Sequence, residues 1–229
     1  MKVLALNGSP HMDEGNTGLI LTAFLDGMRS AGADIESFCT RKLSIMPCLG
    51  DLDCWMKTPG ECSIKDDMQI LYPKFREADV VVYASPVYCA GITGPLKNLI
   101  DRLVPLYIPG QPVSDQLAVL ISTCGAWELE AFSPLLVQMG AIFREHLAGS
   151  LLRPHAEMMK PMLAGPGRER AEAVIAAARE AGRQMAAVGR IAKEVLEDVG
   201  RELGSKEEFE KAFMEWMEGM KKAAEEKDR

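Results

Sequence analysis

The sequence predicts an α/β domain built on a doubly wound, five-stranded parallel sheet, and three observations carry that expectation. Short runs rich in Val, Leu and Ile alternate with stretches of helical period through residues 1–152, the pattern of a parallel sheet with helices on both faces. The runs break off into small, polar or proline-containing loops, at Asn7-Gly8-Ser9-Pro10, Ser85-Pro86-Val87-Tyr88 and Cys124-Gly125-Ala126-Trp127. The chain has 229 residues, 48% of them hydrophobic, enough for one sizeable core plus an appendage without forcing a second domain.

Taken in order, Val3-Leu4-Ala5-Leu6 reads as a buried strand, and the amphipathic pattern from Leu19 to Met28 as the helix behind it. Gly32 marks the end of that helix, and Asp34 to Leu43 reads as a second strand with Ile35, Phe38 and Leu43 inward. Residues 44–63 hold Pro47, Gly50, Pro59, Gly60 and three cysteines, the composition of a long functional or irregular loop. Asp66-Asp67 opens a helix through Ile70, Leu71 and Phe75, and Ala78 to Ala84 is the most strongly β-branched run in the chain. A helix from Gly94 to Leu106 places Leu96, Leu99, Ile100 and Leu103 on one face. Leu117 to Thr123 is the fourth strand, Leu129 to Phe143 a helix, and His146 to Leu152 the fifth strand. The expected strand order is 2-1-3-4-5, which puts ligands beyond the carboxyl ends of the strands, between strands one and three.

The tail has its own periodicity. Val174, Ala178, Ala181, Met185, Val188, Ala192, Val195 and Val199 draw one apolar stripe down a single long helix. Ser205 and Glu208 form a capping box for a second amphipathic helix bearing Phe209, Phe213, Trp216, Met217 and Met220. Both stripes need burial, either against the domain or in a homodimer or homotetramer, and the excess length favours the oligomer.

A net charge of −7 and a pI near 5.1 disfavour nucleic acid or an anionic membrane surface as the main partner. The sequence contains no run of 18 consecutive apolar residues and begins with a strand, so a cytoplasmic protein acting on small molecules is expected. Six cysteines in such a compartment suit thiol or metal roles better than bridges.

The first loop carries most of the chemistry. Ser9, Asn16 and Thr17 put hydroxyl and amide groups at a helix N-terminus, where free backbone N–H groups and the helix dipole favour a phosphate. An ordinary capped turn uses the same residue types. No Lys follows a glycine as in a P-loop, and there is no Gly-x-Gly-x-x-Gly.

Leu6-Asn7-Gly8-Ser9-Pro10 followed by Gly15-Asn16-Thr17 resembles the phosphate loop of the NAD(P)H-dependent FMN reductases, a flavodoxin-like branch that includes the iron–sulfur flavoproteins. Ser85-Pro86-Val87-Tyr88 with Thr93-Gly94-Pro95-Leu96-Lys97 and Asp101-Arg102 resembles that family's second flavin loop, so the similarity covers roughly residues 1–125. The resemblance implies a flavodoxin-like FMN-binding domain over 1–200 and a helical extension over 201–229. It implies that Ser9, Pro10, His11, Asn16 and Thr17 hold the phosphate end, His11 standing where family members often carry Arg. Pro86, Val87 and Tyr88 would then touch the ring, with Thr123 and Gly125 at its other edge. Tyr88 reads equally as a core aromatic, and Trp55 and Trp127 as a substrate wall or as plain packing.

The implied activity is an oxidoreductase that takes hydride from NADH or NADPH and reduces a small acceptor such as a quinone. The flavin carries the chemistry, and no nucleophile–base pair is visible among the three histidines at 11, 146 and 155. An electron carrier serving a ferredoxin-type partner and a non-redox flavodoxin-like module are the alternatives. Iron–sulfur flavoproteins, which the stretch 48–62 resembles, place four cysteines there, whereas this chain has Cys48, Asp51, Cys54 and Cys62. An incomplete soft-ligand set binds poorly, so a cluster-free loop is expected, with a labile cluster or a zinc ion as the alternative.

Overall fold

In a computed structural model, which describes residues 1–108 and 115–227, five parallel strands pair in the order β2-β1-β3-β4-β5. They are β1 (Lys2–Asn7), β2 (Asp34–Cys39), β3 (Val80–Pro86), β4 (Leu117–Thr123) and β5 (Leu147–Arg153). The central strands are buried on both faces, which is why they read as continuous apolar runs. Along β3 the pleat sends Val80, Val82 and Ala84 to one core layer and Val81 and Tyr83 to the other.

The first layer lies under α1 (Asn16–Ser30) and α7 (Arg168–Val188). These two helices meet backbone to backbone: a Cβ on Gly27 would stand 1.8 Å from the Arg179 carbonyl oxygen, and one on Gly182 1.9 Å from that of Phe24. The second layer lies under α3 (Met68–Glu77), α4 (Gly94–Asp101) and α5 (Ser133–Phe143). Between β2 and α3 runs the cysteine-bearing loop, which holds the short α2 (Asp53–Met56). Its base is pinned by a buried ion pair, Arg102 Nη1 to Asp66 Oδ2 at 2.7 Å, and Arg102 also donates to the Met46 carbonyl.

Several expected boundaries move. The second strand stops at Cys39, where Thr40–Lys42 turns as a 3-10 segment, so Leu43 lies beyond it. Ile35 and Phe38 are three residues apart in a period-2 strand and therefore serve opposite core layers. The third strand starts two residues later than expected because Ala78 closes the preceding helix. The helix expected over 94–106 ends at Asp101, and Val104–Leu106 with Pro105 forms a separate turn. Leu129–Phe132 is likewise a 3-10 turn before α5, and His146 belongs to the turn ahead of β5.

The long apolar stripe is carried by two helices and not one. Gly189 takes φ +69°, a left-handed conformation that ends α7, and α8 (Lys193–Gly200) resumes the stripe through Val195 and Val199. Val188 falls at the break and is 64% exposed. Past it, Ser205 and Glu208 form the reciprocal capping box, Ser205 N donating to Glu208 Oε2 and Glu208 N to Ser205 Oγ. That box starts α9 (Lys206–Lys227). A short α6 (Met159–Ala164) links β5 to α7.

Candidate functional site

The carboxyl ends of β1, β3, β4 and β5 surround one cavity of about 690 Å³, within the usual range for a cofactor pocket. Its first wall is the turn into α1. The helix begins after Gly15, whose lack of a side chain leaves the N-terminus without a side-chain cap. Leu19 N is the first amide of α1 to reach a helical carbonyl, that of Gly15, so the amides of Asn16, Thr17 and Gly18 are orphan donors. The dipole adds positive potential there, which suits an anion. The Asn16 Oδ1 atom is buried without a partner.

The turn itself is braced from below. Asn7 Oδ1 accepts from Ser9 N at 3.0 Å, Ser9 Oγ accepts from His11 N at 3.2 Å, and Gly8 N donates to the Ala84 carbonyl at 2.7 Å. Thr93 Oγ1 donates to the Gly8 carbonyl, and a Cβ on Gly8 would sit 2.9 Å from both Thr93 Oγ1 and Leu96 Cβ. Glycine is therefore the residue that lets β1 hand over to the turn at this spot.

The second wall is Pro86-Val87-Tyr88 at the end of β3. Cys89 and Ala90 both adopt positive φ, 49° and 62°, and close a two-residue turn in which Tyr88 and Gly91 exchange backbone hydrogen bonds. Non-glycine residues there are strained, as often at ligand sites. Tyr88 is 49% exposed on the cavity rim, so it is not a core aromatic.

The third wall comes from β4 and β5. Thr123 Oγ1 and Thr17 Oγ1 are 2.7 Å apart, and Val87 N donates to the Thr123 carbonyl, so one residue ties all three walls together. Cys124 N donates to the Arg153 carbonyl, while Ala156 N donates to that of Cys124 and His155 N to that of Ala126. Burial pushes the Cys124 thiol up to about 11, so it stays protonated. Of the sequence-derived site residues, Ser9, His11, Asn16, Thr17, Pro86, Val87, Tyr88, Thr123 and Gly125 all line the cavity. Pro10 does not; its carbonyl faces outward and accepts from Arg41 Nη1.

Other lining residues carry no sequence signal. Glu157 lies beyond the recognisable loops, its Oε2 buried without a partner, and burial raises its carboxyl above the ordinary value. Lys160 brings an ammonium to the rim, where it donates to the Glu14 carbonyl. Phe209, Phe213 and Trp216 of α9 form the remaining side. They continue a ring series that starts with Trp127 stacked on His155 at 4.5 Å and passes through Phe209 to Phe213 and Trp216. Trp127 is thus a packing residue, and Trp55 is too, its Nε1 donating to the Val104 carbonyl. The capping box marks α9 in the sequence but says nothing of where it lies.

Behind the β5 end stands a buried cation that has no carboxylate partner among the described residues. Arg153 donates to the carbonyls of Pro154 and Val199 and to His155 Nε2. His155 Nε2 also accepts from Leu203 N, which leaves the proton of the neutral ring on Nδ1. Burial and the adjacent guanidinium push His155 down to about 4.

Cys48, Asp51, Cys54 and Cys62 line a separate, smaller cavity of about 110 Å³ over Arg102. Three of these four groups have a local partner: Cys48 Sγ accepts from Gly50 N, Asp51 Oδ1 from Asp53 N, and Cys62 Sγ from Arg102 Nη2. Burial raises the Cys54 thiol. Among the described residues, no three His, Cys, Asp or Glu side chains have the arrangement of a metal site. Nor, among them, is any helix long and apolar enough to cross a membrane.

Comparison with known proteins agrees with this fold. A family model described as NADPH-dependent FMN reductase matches residues 1–149. An iron-sulfur flavoprotein of Methanocaldococcus jannaschii is 38% identical over 108 residues, 47% of this chain and 54% of that protein. The matched stretch thus spans about half the length of such relatives. The NAD(P)H:quinone oxidoreductase from Methanothermobacter marburgensis superposes with a TM-score of 0.61 at 17% identity, over 81% of this chain and 96% of that one. An FMN-dependent NADH-azoreductase from Bacillus anthracis, solved in complex with FMN, superposes with a TM-score of 0.58 at 14% identity, over 81% and 100%. At these identities the two structures establish the fold.

Proposed function

The chain belongs to the NADPH-dependent FMN reductase family, and from that premise we propose that it binds one FMN and acts as an NAD(P)H-dependent oxidoreductase on a small acceptor such as a quinone. The observation that carries the proposal is the uncapped N-terminus of α1 opening into a cavity walled by the loops after β1, β3, β4 and β5. The fit is chemical as well as spatial. Amide donors at one end suit a phosphate, and Pro86, Val87 and Tyr88 offer a flat flank to a ring system. Bound FMN would supply hydride chemistry, and the chain supplies orientation, shielding and hydrogen bonds.

In this reading Ser9, His11, Asn16 and Thr17 attend the phosphate and ribityl chain, and Thr123 and Gly125 the far edge of the ring. Residues 1–200 form the FMN-binding domain and 201–229 an extension whose first turns close its cavity. Residues 228–229 lie outside the described structure. Met214, Trp216, Met217 and Met220 remain exposed along α9, which supports a homo-oligomer, to be tested by light scattering. The net charge of −7 supports an enzyme of small molecules, which we place in the cytoplasm.

The test is to purify the protein without air, record its spectrum and add each nicotinamide in turn. A yellow protein bleached by NADH or NADPH supports the proposal. A protein that stays colourless with added FMN sinks it. The curated relatives are named iron-sulfur flavoproteins, which favours a second reading with an iron–sulfur cluster; in it the chain is an electron carrier that serves a ferredoxin-type partner. Against it, Asp51 stands in the four-residue set and is engaged with Asp53 N, so we propose a cluster-free loop.

A further inference from the structure

Resting on the FMN reading, we propose that Glu157 is the hydrogen-bond partner of the pyrimidine edge of the isoalloxazine and holds a proton there while the ring carries the charge of a hydride. Glu157 sits in the turn after β5, outside every motif the sequence offers, yet its carboxyl lines the same cavity as Tyr88 and Thr123. It occupies the space that a side chain at position 125 would fill, with both carboxyl oxygens and Cδ within 3.2–3.3 Å of where a Gly125 Cβ would stand. The glycine and the carboxyl are thus complementary parts of one wall.

Oε2 of Glu157 is buried and has no partner. The cations around it are engaged elsewhere: the Arg153 guanidinium donates to Val199, Pro154 and His155, and Lys160 to the Glu14 carbonyl. A buried carboxyl oxygen left without a partner is destabilising, so a ligand that supplies one gains what the fold forgoes. FMN has few donors: the ribityl hydroxyls and N3–H of the ring. A carboxyl has no place beside the phosphate, and Gly125, against which Glu157 packs, is the residue that the FMN reading places at the far edge of the ring, away from the ribityl chain. That leaves the pyrimidine edge, where N3–H lies between two carbonyls. A neutral carboxyl accepts from N3–H with one oxygen and donates to a carbonyl with the other, and an ionised one can only accept.

Hydride transfer delivers two electrons and one proton, leaving one negative charge spread toward the pyrimidine carbonyls. A protonated Glu157 donates to that charge, and an ionised one repels it. Burial already favours the protonated form. The other titratable groups around the cavity are Tyr88, Cys124, Lys160, Glu14 and His11, with Arg153 and His155 behind the β5 end. Lys160 is engaged by the Glu14 carbonyl and the Cys124 thiol is protonated, so neither competes for the proton.

The experiment compares FMN with 3-methyl-FMN, which lacks the N3–H, on the full chain and on Glu157→Ala and Glu157→Gln, with circular dichroism as the check on folding. Fluorescence titration should show the analogue at least tenfold weaker than FMN on the unmodified chain and within threefold of FMN on Glu157→Ala. The midpoint potential of the bound flavin should fall more steeply with pH in the unmodified chain than in Glu157→Gln, which cannot ionise. Equal discrimination by the unmodified chain and Glu157→Ala, or potentials with identical pH slopes, overturns the assignment while leaving FMN binding intact. If Glu157→Ala does not fold, the comparison with Glu157→Gln decides alone. Failure of the unmodified chain to bind FMN at all instead sinks the reading on which the inference rests.

Discussion

The hydroxyls of Thr17 and Thr123, 106 positions apart in sequence, lie 2.7 Å from each other and join the first turn of α1 to the end of β4. Loss of Thr17 therefore removes a polar contact from two cavity walls at once. Ser9 has a comparable place, its Oγ receiving His11 N. Each hydrogen bond contributes on the order of 1 kcal/mol, so the Ser9→Ala, Thr17→Ala double variant should bind FMN roughly tenfold to thirtyfold more weakly. Unchanged affinity by fluorescence titration would place the phosphate elsewhere.

Ending the chain after Gly204 removes Phe209, Phe213 and Trp216 from the cavity wall while leaving both sheet layers covered. Such a chain should stay folded by circular dichroism, release FMN faster and show a higher KM for a quinone. Stopped-flow dilution reads the release rate, and an unchanged rate would reduce α9 to a surface appendage.

His155 makes the fold sensitive to acid. Its pKa is near 4 in the folded state against 6.5 when exposed, so between those values the unfolded chain binds more protons. The stability it contributes is complete above pH 6.5 and is lost progressively as the pH falls toward 4. Urea midpoints across that window should drop in the unmodified chain and flatten in His155→Gln, whose amide oxygen can still receive Arg153. Parallel slopes would assign the acid sensitivity to other groups.

The α1–α7 contact leaves no room for a methyl group. Gly182→Ala would drive its Cβ into the Phe24 carbonyl and force the helices apart, at a cost of about 3 kcal/mol. Gly219→Ala on α9 meets nothing within 4 Å and should be neutral or slightly stabilising. Thermal melts of the two variants side by side test the contrast, and similar melting points would contradict the close approach.

Asp51→Cys completes four cysteines at the spacing of the resembling iron–sulfur flavoproteins. Iron and inorganic sulfide assays on protein prepared without air should find little of either in the unmodified chain and both in the variant. Stoichiometric iron and sulfide in the unmodified chain would promote the electron-carrier reading.

The central strands were legible because β1, β3 and β4 are buried on both faces and their composition has to be continuously apolar. The end of β2 was not, since an edge strand half open to solvent carries a weak pattern and Leu43 continues it by accident of spacing. The division between α7 and α8 escaped for a related reason: the stripe keeps its three-and-four spacing across Gly189, and the left-handed turn shows only in the glycine. In the cavity, Ser9, Thr17 and Thr123 sit in loops whose composition betrays them. Glu157 and Phe213 do not, because a lone carboxylate in a turn and an aromatic on an amphipathic helix look like countless surface and packing residues until the chain is folded.

The hydrogen bonds that join the loops, from Gly8 to Ala84, Thr93 to Gly8, Val87 to Thr123 and His155 to Ala126, run between the chain's own atoms. Loops already fastened to one another have little conformational entropy left to surrender on association, so the cofactor meets a preorganised receptor and its binding energy is not consumed in ordering the backbone. It follows that the chain stripped of its flavin should keep its shape and take the cofactor back in a single kinetic phase, at a rate set by entry into the cavity and not by a slow rearrangement of its walls.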